Sequence, residues 1–489
     1  MGEVAASKKR PKNLSYWINS IIVFVLMFGI GQLPPFGEVT PLGMQVLGIF
    51  VGVLYGWCTV SLLWPSLVGI VAVGATDYCT VVQSFSSAFG AEIPLTIVVV
   101  YILATYVEES GLSSWIANWF ISRKIGEGHP WIFTMLIFAA AYVMSAFISL
   151  FATIIILWTI FYKICEQIGE PRQTKYTAMV ISGIVFICGL TAIIFPFKTQ
   201  SVIQLGLTQK ALGTTLDVNF ITWTGYNFIV SVTMIAVYLL VCKFVLRPDL
   251  SRVKDAGAKY AYLRGEKMTS QQKIATVVFL GFILGLMLPS ILPKTIPGIA
   301  LLSQMGIIGL GTICMIVLAI AKTKENKSYV DIPHLVSNVN WELVILVGAT
   351  MPLCNALEAE ECGVLKTVIG WMTQTFSGLS GIMFLVVVIA LFLVATQVAH
   401  NMVLMLVFTP VLTKMGLSFG LNPMLVMMVI VYTAMSAYAT PAASSQAALI
   451  FGNNEWIKTK DAYLNGFIII FVSFIVLVSV AIPLGQIML

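Results

Sequence analysis

The sequence predicts an all-α polytopic membrane protein built as an inverted repeat, with two re-entrant hairpins and two broken helices. Three observations predict it. Of 489 residues, 59% are hydrophobic and only 10% are charged, where a soluble domain carries about a quarter charged residues. Four long apolar passages are each interrupted near the middle by polar or helix-breaking residues. Three short segments of the upstream half recur downstream in the same order and at nearly one offset. A buried polar group in lipid is costly unless it is paired, lines a cavity or holds a ligand. Broken apolar helices with polar centres are how secondary transporters build a midplane site.

The length allows roughly ten to twelve spans of about 20 residues with short loops, and no stretch is long and polar enough for a separate soluble domain. The net charge is +6. The basic residues sit between apolar runs, so they report orientation rather than nucleic-acid binding. The eight cysteines lie scattered without metal or disulfide spacing and read as packing residues. Nothing resembles a phosphate-binding loop, a dinucleotide fingerprint or a metal cluster, and no enzymatic role is expected. The start, MGEVAASKKRPKNLSYW, lacks a short apolar segment with a small-residue cleavage site, so no cleaved signal peptide is expected. Ala6 stands where myristoylation wants Ser or Thr.

In chain order, residues 1–16 form a cytoplasmic basic tail carrying Lys8, Lys9, Arg10 and Lys12, and 17–35 an extra N-terminal span ended by Pro34 and Pro35. The first inverted repeat covers 42–244. It opens with spans at 42–57 and 60–76 and an apolar run at 92–107. In EESGLSSWIANWFISRKIG, Trp115, Ile116, Trp119 and Phe120 share one helical face, as an interfacial helix requires. Residues 130–165 are too long for one span, hold Ser145, Ser149 and Thr153 at the middle and have no external loop, which favours a re-entrant hairpin. Two ordinary spans would also return both ends to one side, so the flanking charges alone do not decide. Residues 176–210 read as a broken helix, interrupted by Gly189, Thr191, Pro196, Lys198, Thr199 and Gln200, and 222–244 as a span.

A cytoplasmic linker, 245–273, holds Arg247, Arg252, Lys254, Lys259, Arg264, Lys267 and Lys273. The second inverted repeat, 274–489, has spans at 274–290 and 298–320, the loop KTKENK, a span at 339–357 and the amphipathic run EAEECGVLKTVIGWM. A re-entrant hairpin at 378–415 is interrupted at Thr396, Gln397, His400 and Asn401. A broken helix at 421–452 is interrupted at Thr440, Pro441, Ser444, Ser445 and Gln446, and the last span is 462–486. With the basic segments 123–124, 163–175, 247–273 and 322–327 inside, eleven spans put the N-terminus in the cytoplasm and the C-terminus outside. The repeat is carried by EESGLSSWIANWF against EAEECGVLKTVIGWM (Gly111 and Gly363, 252 apart), by SAFISLFATIIILWTI against ATQVAHNMVLMLVFTP (Ser149 and His400, 251 apart), and by FICGLTAIIFPFKTQS against AMSAYATPAASSQA (Pro196 and Pro441, 245 apart).

Lys198 is the most informative single residue, because a lysine in an apolar passage must be paired or hydrated. It suits a carboxylate of the substrate, or the place of a sodium ion in the first half; snorkelling to the interface is the alternative. His400 can bond a carboxylate, carry a proton or cap a helix junction. Asn401, Thr440, Ser444 and Ser445 are neutral donors and acceptors suited to a carboxylate at helix N-termini. Asn401, Thr440, Ser444 and Gln446 equally suit a sodium ion held by neutral oxygens. Ser149 and Thr153 are their upstream equivalents, though mid-membrane serines also bond back to their own helix. His129 and His334 read as solvated loop residues, and Glu108, Glu109, Glu358 and Glu360 as interfacial.

From WCTVSLLWPSLVGI (57–70) to the final span, the chain resembles the divalent anion:sodium symporter family, within the wider ion transporter superfamily. The resemblance implies Ser-Asn-Thr motifs at both hairpin tips and Thr-Pro-rich broken helices. Of the first tip only Ser149 matches, followed by Leu150, Phe151, Ala152 and Thr153; of the second only Asn401, between His400 and Met402. Ala439-Thr440-Pro441 keeps the second broken-helix signature, while around Pro196 the chain reads Lys198-Thr199-Gln200. The implied substrate set is then Ser149, Thr153, Lys198, Thr199, His400, Asn401, Thr440, Pro441, Ser444 and Ser445. The implied activity is elevator-type secondary transport of a di- or tricarboxylate across the cytoplasmic membrane, with Na+ as coupling ion, by a homodimer. The alternative is proton-coupled or exchange transport of an organic or inorganic anion using Lys198 and His400.

Overall fold

A computed structural model describes residues 14–259, 265–293, 295–321, 328–375 and 378–489. Most of the expected basic tail, Arg264 of the linker and the loop 322–327 lie outside the described residues. The chain opens with α1 (Leu14–Gly29), α2 (Pro41–Thr59), α3 (Leu63–Gly74), α4 (Val81–Phe89), α5 (Glu92–Glu109) and α6 (Leu112–Ile121). It continues through α7 (Pro130–Phe147), α8 (Leu150–Ile168), α9 (Lys175–Leu190), α10 (Thr199–Leu212), α11 (Phe220–Val241) and the short α12 (Ala256–Lys259). Then come α13 (Ser270–Ile291), α14 (Pro297–Ile320), α15 (Ile332–Ser337), α16 (Trp341–Glu358), α17 (Val364–Thr375) and α18 (Gly381–Ala395). The last are α19 (Asn401–Ser418), α20 (Pro423–Ala434), α21 (Ser445–Gly452), α22 (Thr459–Val476) and α23 (Ile482–Met488).

Eleven helices among the described residues are long and apolar enough to cross a membrane. That makes the protein an all-α polytopic membrane protein. The number equals the one expected, but the membership differs. α7, α8 and α19 qualify singly, whereas α3, α5 and the passage 421–452 do not. The span expected at 60–76 is only the 12 residues of α3, about 18 Å at 1.5 Å per residue, short of a bilayer core of about 30 Å. α4 was not expected at all. Its VVQSFSSAF is half polar, so hydropathy passes over it, although Thr80 and Gln83 form a capping box legible in the sequence. α4 and α5 are bent by 43° at their break.

The chain divides into two compact units. One comprises Met1–Leu95 and Asn340–Ser377. Here α1 lies on α2 backbone to backbone: a Cβ at Gly52 would sit 2.8 Å from both Met27 N and Val23 O. Thr40 caps α2 and ties it to the 360–362 turn, its Oγ1 donating to Glu361 O at 2.6 Å and its N–H to Cys362 O at 3.1 Å. Glu358 is half-buried at the end of α16, where its Oε1 has no hydrogen-bonding partner among the described residues.

The second unit comprises Thr96–Val339 and Gly378–Leu489. Its core is formed by α9, buried from Tyr176 through Leu190, and α20, buried from Leu425 through Ala434. Both are apolar nearly all round, which is what a helix enclosed on every side requires. α7, α8 and α22 pack on α9, and α18 and α19 on α20. Tyr238 Oη reaches Met179 O at 3.0 Å to close the α9 side. Gly466 of α22 is required by closeness: a Cβ there would stand 2.4 Å from Tyr438 O and 2.7 Å from Ala439 Cα. On α6, Trp119 is 41% exposed with the Arg123 guanidinium 3.9 Å over its ring, while Trp115, Ile116 and Phe120 are half-buried. His334, expected as a solvated loop residue, opens onto Glu109 at 2.9 Å. Of the eight cysteines, Cys165, Cys188, Cys242, Cys354 and Cys362 are buried.

Candidate functional site

Four helix breaks in the second unit carry the polar residues singled out by the sequence. α7 and α8 meet at Ile148–Ser149 without an intervening loop. α18 and α19 meet across 396–400, α9 and α10 across 191–198, and α20 and α21 across 435–444. Four helices therefore begin at breaks: α8, α10, α19 and α21. Each presents the positive end of its dipole, with first-turn N–H groups that have no partner within their own helix.

In the first half, Lys198 is the residue before α10, with extended φ/ψ. Its Nζ donates to Ser145 O at 2.9 Å and to Ile148 O at 3.1 Å, the carbonyl end of α7. The C-terminal end of α7 thus holds it, where a cation is favoured. Thr191 Oγ1 donates to Ser145 Oγ at 2.7 Å, and Ser145 Oγ to Cys188 O at 3.2 Å. Ser149 opens α8, half-buried, with no side-chain cap bond. Thr153 is fully buried and its Oγ1 has no hydrogen-bonding partner. Thr199 is half-buried in the first turn of α10.

In the second half, His400 caps α19: its Nδ1 accepts from Met402 N at 3.3 Å. That assigns the proton to Nε2, which stands 3.4 Å from Ser445 Oγ. Asn401 is buried, donates from Nδ2 to Ala434 O at 3.3 Å and accepts at Oδ1 from Met402 N at 2.8 Å. Its own N–H donates to Ala443 O at 3.1 Å. Thr440 Oγ1 donates to Gln397 O at 2.5 Å. Ser444 Oγ donates to Ala437 O at 2.8 Å and accepts from Ala447 N at 3.0 Å, capping α21. Pro441 and Ser445 are exposed and Gln446 is half-buried. The oxygens of Asn401, Thr440 and Ser444 are neutral, and each keeps lone-pair capacity beyond these bonds.

The two halves touch. Gln200 Nε2 lies 2.9 Å from Met402 Sδ, so the first turns of α10 and α19 are neighbours. One turn further on, Thr409 Oγ1 donates to Gln204 Oε1 at 2.5 Å. A polar seam follows: Ser201 Oγ, Gln204 Nε2 and Thr208 Oγ1 on α10 and Thr413 Oγ1 on α19 are buried without partners. The chain of contacts from Ile148 through Lys198, Gln200 and Met402 to His400 and Ser445 joins all four breaks. Sequence reasoning did not assign Gln397, Ser145, Thr191, Gln204 or Thr409 to the site. Gln397 is the chief omission: Nε2 donates to Leu393 O at 2.8 Å, and Oε1 accepts from Ala439 N at 2.9 Å. For the seam the available signal was Ser201, Gln204 and Thr208 at i, i+3 and i+7, which share one helical face.

Comparison with known proteins agrees with this architecture. The family model CitMHS, described as citrate transporter, matches residues 50–358. The sodium-dependent dicarboxylate transporter SdcS of Staphylococcus aureus (strain USA300) is 22% identical over 452 residues, covering 90% of this chain and 85% of that protein. SdcS of Staphylococcus saprophyticus is 25% identical over 175 residues, 35% of this chain and 33% of the relative. Among solved structures, the YdaH transporter of Alcanivorax borkumensis superposes with a TM-score of 0.54 at 12% identity, covering 83% of this chain and 87% of that one. That likeness concerns the fold alone. With well over half of its length matched by the family model, the chain belongs to the CitMHS citrate-transporter family, of the divalent anion:sodium symporter type.

Proposed function

We propose that this membrane protein is a secondary active symporter of a small di- or tricarboxylate, driven by sodium. The observation that carries the reading is the continuous line of contacts joining the four breaks. It sets the N-terminal turns of α10, α19 and α21 beside Lys198 and His400. Positive helix ends, an ammonium and an imidazole N–H together suit a carboxylate. The neutral oxygens of Asn401, Thr440 and Ser444, with Gln446 beside them, suit a sodium ion in the second half. The names of the relatives, a citrate transporter family and sodium-dependent dicarboxylate transporters, support the same classes of substrate and ion.

On this reading α7–α8 and α18–α19 are re-entrant hairpins whose tips close the site, and the chain is an inverted repeat. Support comes from matching local geometry. Gly111 and Gly363 both adopt left-handed φ, +74° and +66°, just before α6 and α17. α8 and α19 begin 251 residues apart, and α10 and α21 246 apart. The hydrogen bonds tying tips to breaks suit site-bearing helices that move as one body. The deciding measurement is uptake of citrate, succinate and sulfate into proteoliposomes, with sodium and proton gradients imposed separately. Carboxylate uptake driven by sodium is expected. Uptake indifferent to sodium and driven by the proton gradient would instead assign the coupling to Lys198 and His400.

A further inference from the structure

We infer that the cavity behind the meeting point of α7 and α8 binds the acyl tail of a bilayer phospholipid, and that a tail seated there steadies this tip. The site is separate from that of the transported anion and holds whatever the cargo. The cavity measures about 340 Å³, near the small end of the range for ligand pockets. Its walls are α7 at Tyr142 and Phe147, the break at Ile194 and Phe195, and α11 at Ile221 and Phe228.

The chemistry of the lining names the occupant. Among the described residues no charged side chain lines the cavity. Neither hydroxyl of the lining is free to receive a ligand. Tyr142 Oη shares a hydrogen bond with Ser231 Oγ at 2.8 Å, and Thr224 Oγ1 is buried. A carboxylate or a lipid headgroup would enter without a polar partner, at a cost that hydrocarbon does not carry. Water meets the same objection, since a buried water takes about three hydrogen bonds. Apolar walls that meet no hydrocarbon forfeit dispersion contacts on that side. The mouth is continuous with surface that a membrane covers. Ile221 and Phe228 are 46% and 51% exposed, and the exposed side of α11 runs on through Ile229 and Val232. α11 itself belongs to a helix long and apolar enough to span. A tail can thus enter sideways from the bilayer core.

The position of the cavity gives the tail a role. Phe147 stands between Ser145 and Ile148, whose carbonyls hold the Lys198 ammonium. Its ring stacks on Phe195 with centroids 5.7 Å apart. Phe195 stacks in turn on Phe197, the residue before Lys198, at 5.1 Å. The cavity wall is therefore the reverse side of the contact that closes the first tip. Hydrocarbon packed on Phe147 and Phe195 restrains both rings, and with them the end of α7.

The test uses the full chain reconstituted in phospholipid vesicles that contain phosphatidylcholine with a diazirine midway along one acyl tail. On illumination, label should be enriched at least about five-fold on 142–147 and 221–228 over the lipid-facing stretch 229–240. Val143→Phe, which places a ring in the cavity, and Ile221→Trp, which blocks its mouth, should each abolish the enrichment. Val232→Phe, on the exposed side of α11 outside the cavity, should label as the parent does. Phosphatidylglycerol with the same tail should label as phosphatidylcholine does. A second readout follows the tip: phosphatidylcholine added to the detergent-purified parent should slow hydrogen exchange in 146–149 by about five-fold. It should not do so in Val143→Phe, whose ring already fills the space. Label spread evenly along α11, label that depends on the headgroup, or enrichment that survives both cavity substitutions would overturn the site. Exchange at 146–149 indifferent to lipid in the parent would overturn its role at the tip. Should Val143→Phe not purify as a folded protein, Ile221→Trp decides. No arm measures uptake, so a failure of the transport reading would leave each result standing.

Discussion

Replacing Gln397 by leucine tests how the second tip is held to the second broken helix. The Gln397 amide donates to Leu393 O at 2.8 Å and to Thr396 Oγ1 at 3.0 Å, and it accepts from Ala439 N at 2.9 Å. Ala439 is 1% exposed, so leucine strands a buried N–H group as well as removing two donors. An unsatisfied buried polar group costs about 1–3 kcal/mol. If about 2 kcal/mol falls on the local closed arrangement, its population relative to the open one drops about thirty-fold. Hydrogen exchange at the Ala439 amide should then quicken by about that factor, while exchange along the enclosed α9 stays unchanged. Uptake should fall mainly at low substrate, through a raised KM. Unaltered protection at Ala439 together with unaltered uptake would refute the argument that this amide locks the tip.

Three further outcomes are expected. Gly466→Ala should lower Tm and uptake, because its Cβ would meet backbone at 2.4 Å and 2.7 Å, an overpacking worth about 1–3 kcal/mol; Gly298→Ala, which meets nothing within 4 Å, is the unaffected control. In a double-mutant cycle of thermal unfolding, Gln204→Leu and Thr409→Val should each destabilise, and together cost less than their sum. The coupling between this buried pair should be about 0.5–3 kcal/mol. Burial holds the Glu170 carboxyl above the ordinary glutamate value, against the opposing bond from Thr174. The folded chain therefore keeps that proton more tightly than the unfolded chain. Stability from this group is present below the unfolded value and is lost as pH rises through the folded one. Glu170→Gln should flatten that part of the Tm against pH curve, and an unchanged slope would dismiss the group.

Much of the architecture was legible because lipid makes every polar interruption costly. Lys198, Pro196, Pro441 and the His400-Asn401 pair mark breaks that the structure has within a few residues. What was misread has local causes. α4 is half polar and escaped a search for apolar runs, and the short α3 was lengthened by counting its apolar neighbours. The site was legible as a set of breaks but not as a set of bonds. Gln397 looked like one of several interruptions, and only the approach of Ala439, 42 residues on, makes it a tie. Gln204 lay beyond the polar cluster of its passage and became notable only when α19 brought Thr409 to it.

By itself the sequence determined that the chain lives in a membrane and where most of its long helices break. Those properties follow from residues near one another in the chain: apolar length, helix breakers and the price of a bare polar group in lipid. Only the tertiary structure decided what the polar residues do at the breaks, because their partners are distant in sequence. Lys198 meets carbonyls 53 and 50 residues upstream, and His400 meets a serine 45 residues downstream. Whether a lysine in an apolar passage reaches for water, for an anion or for the end of another helix depends on which helix end the fold sets beside it. Here it is the carbonyl end of α7.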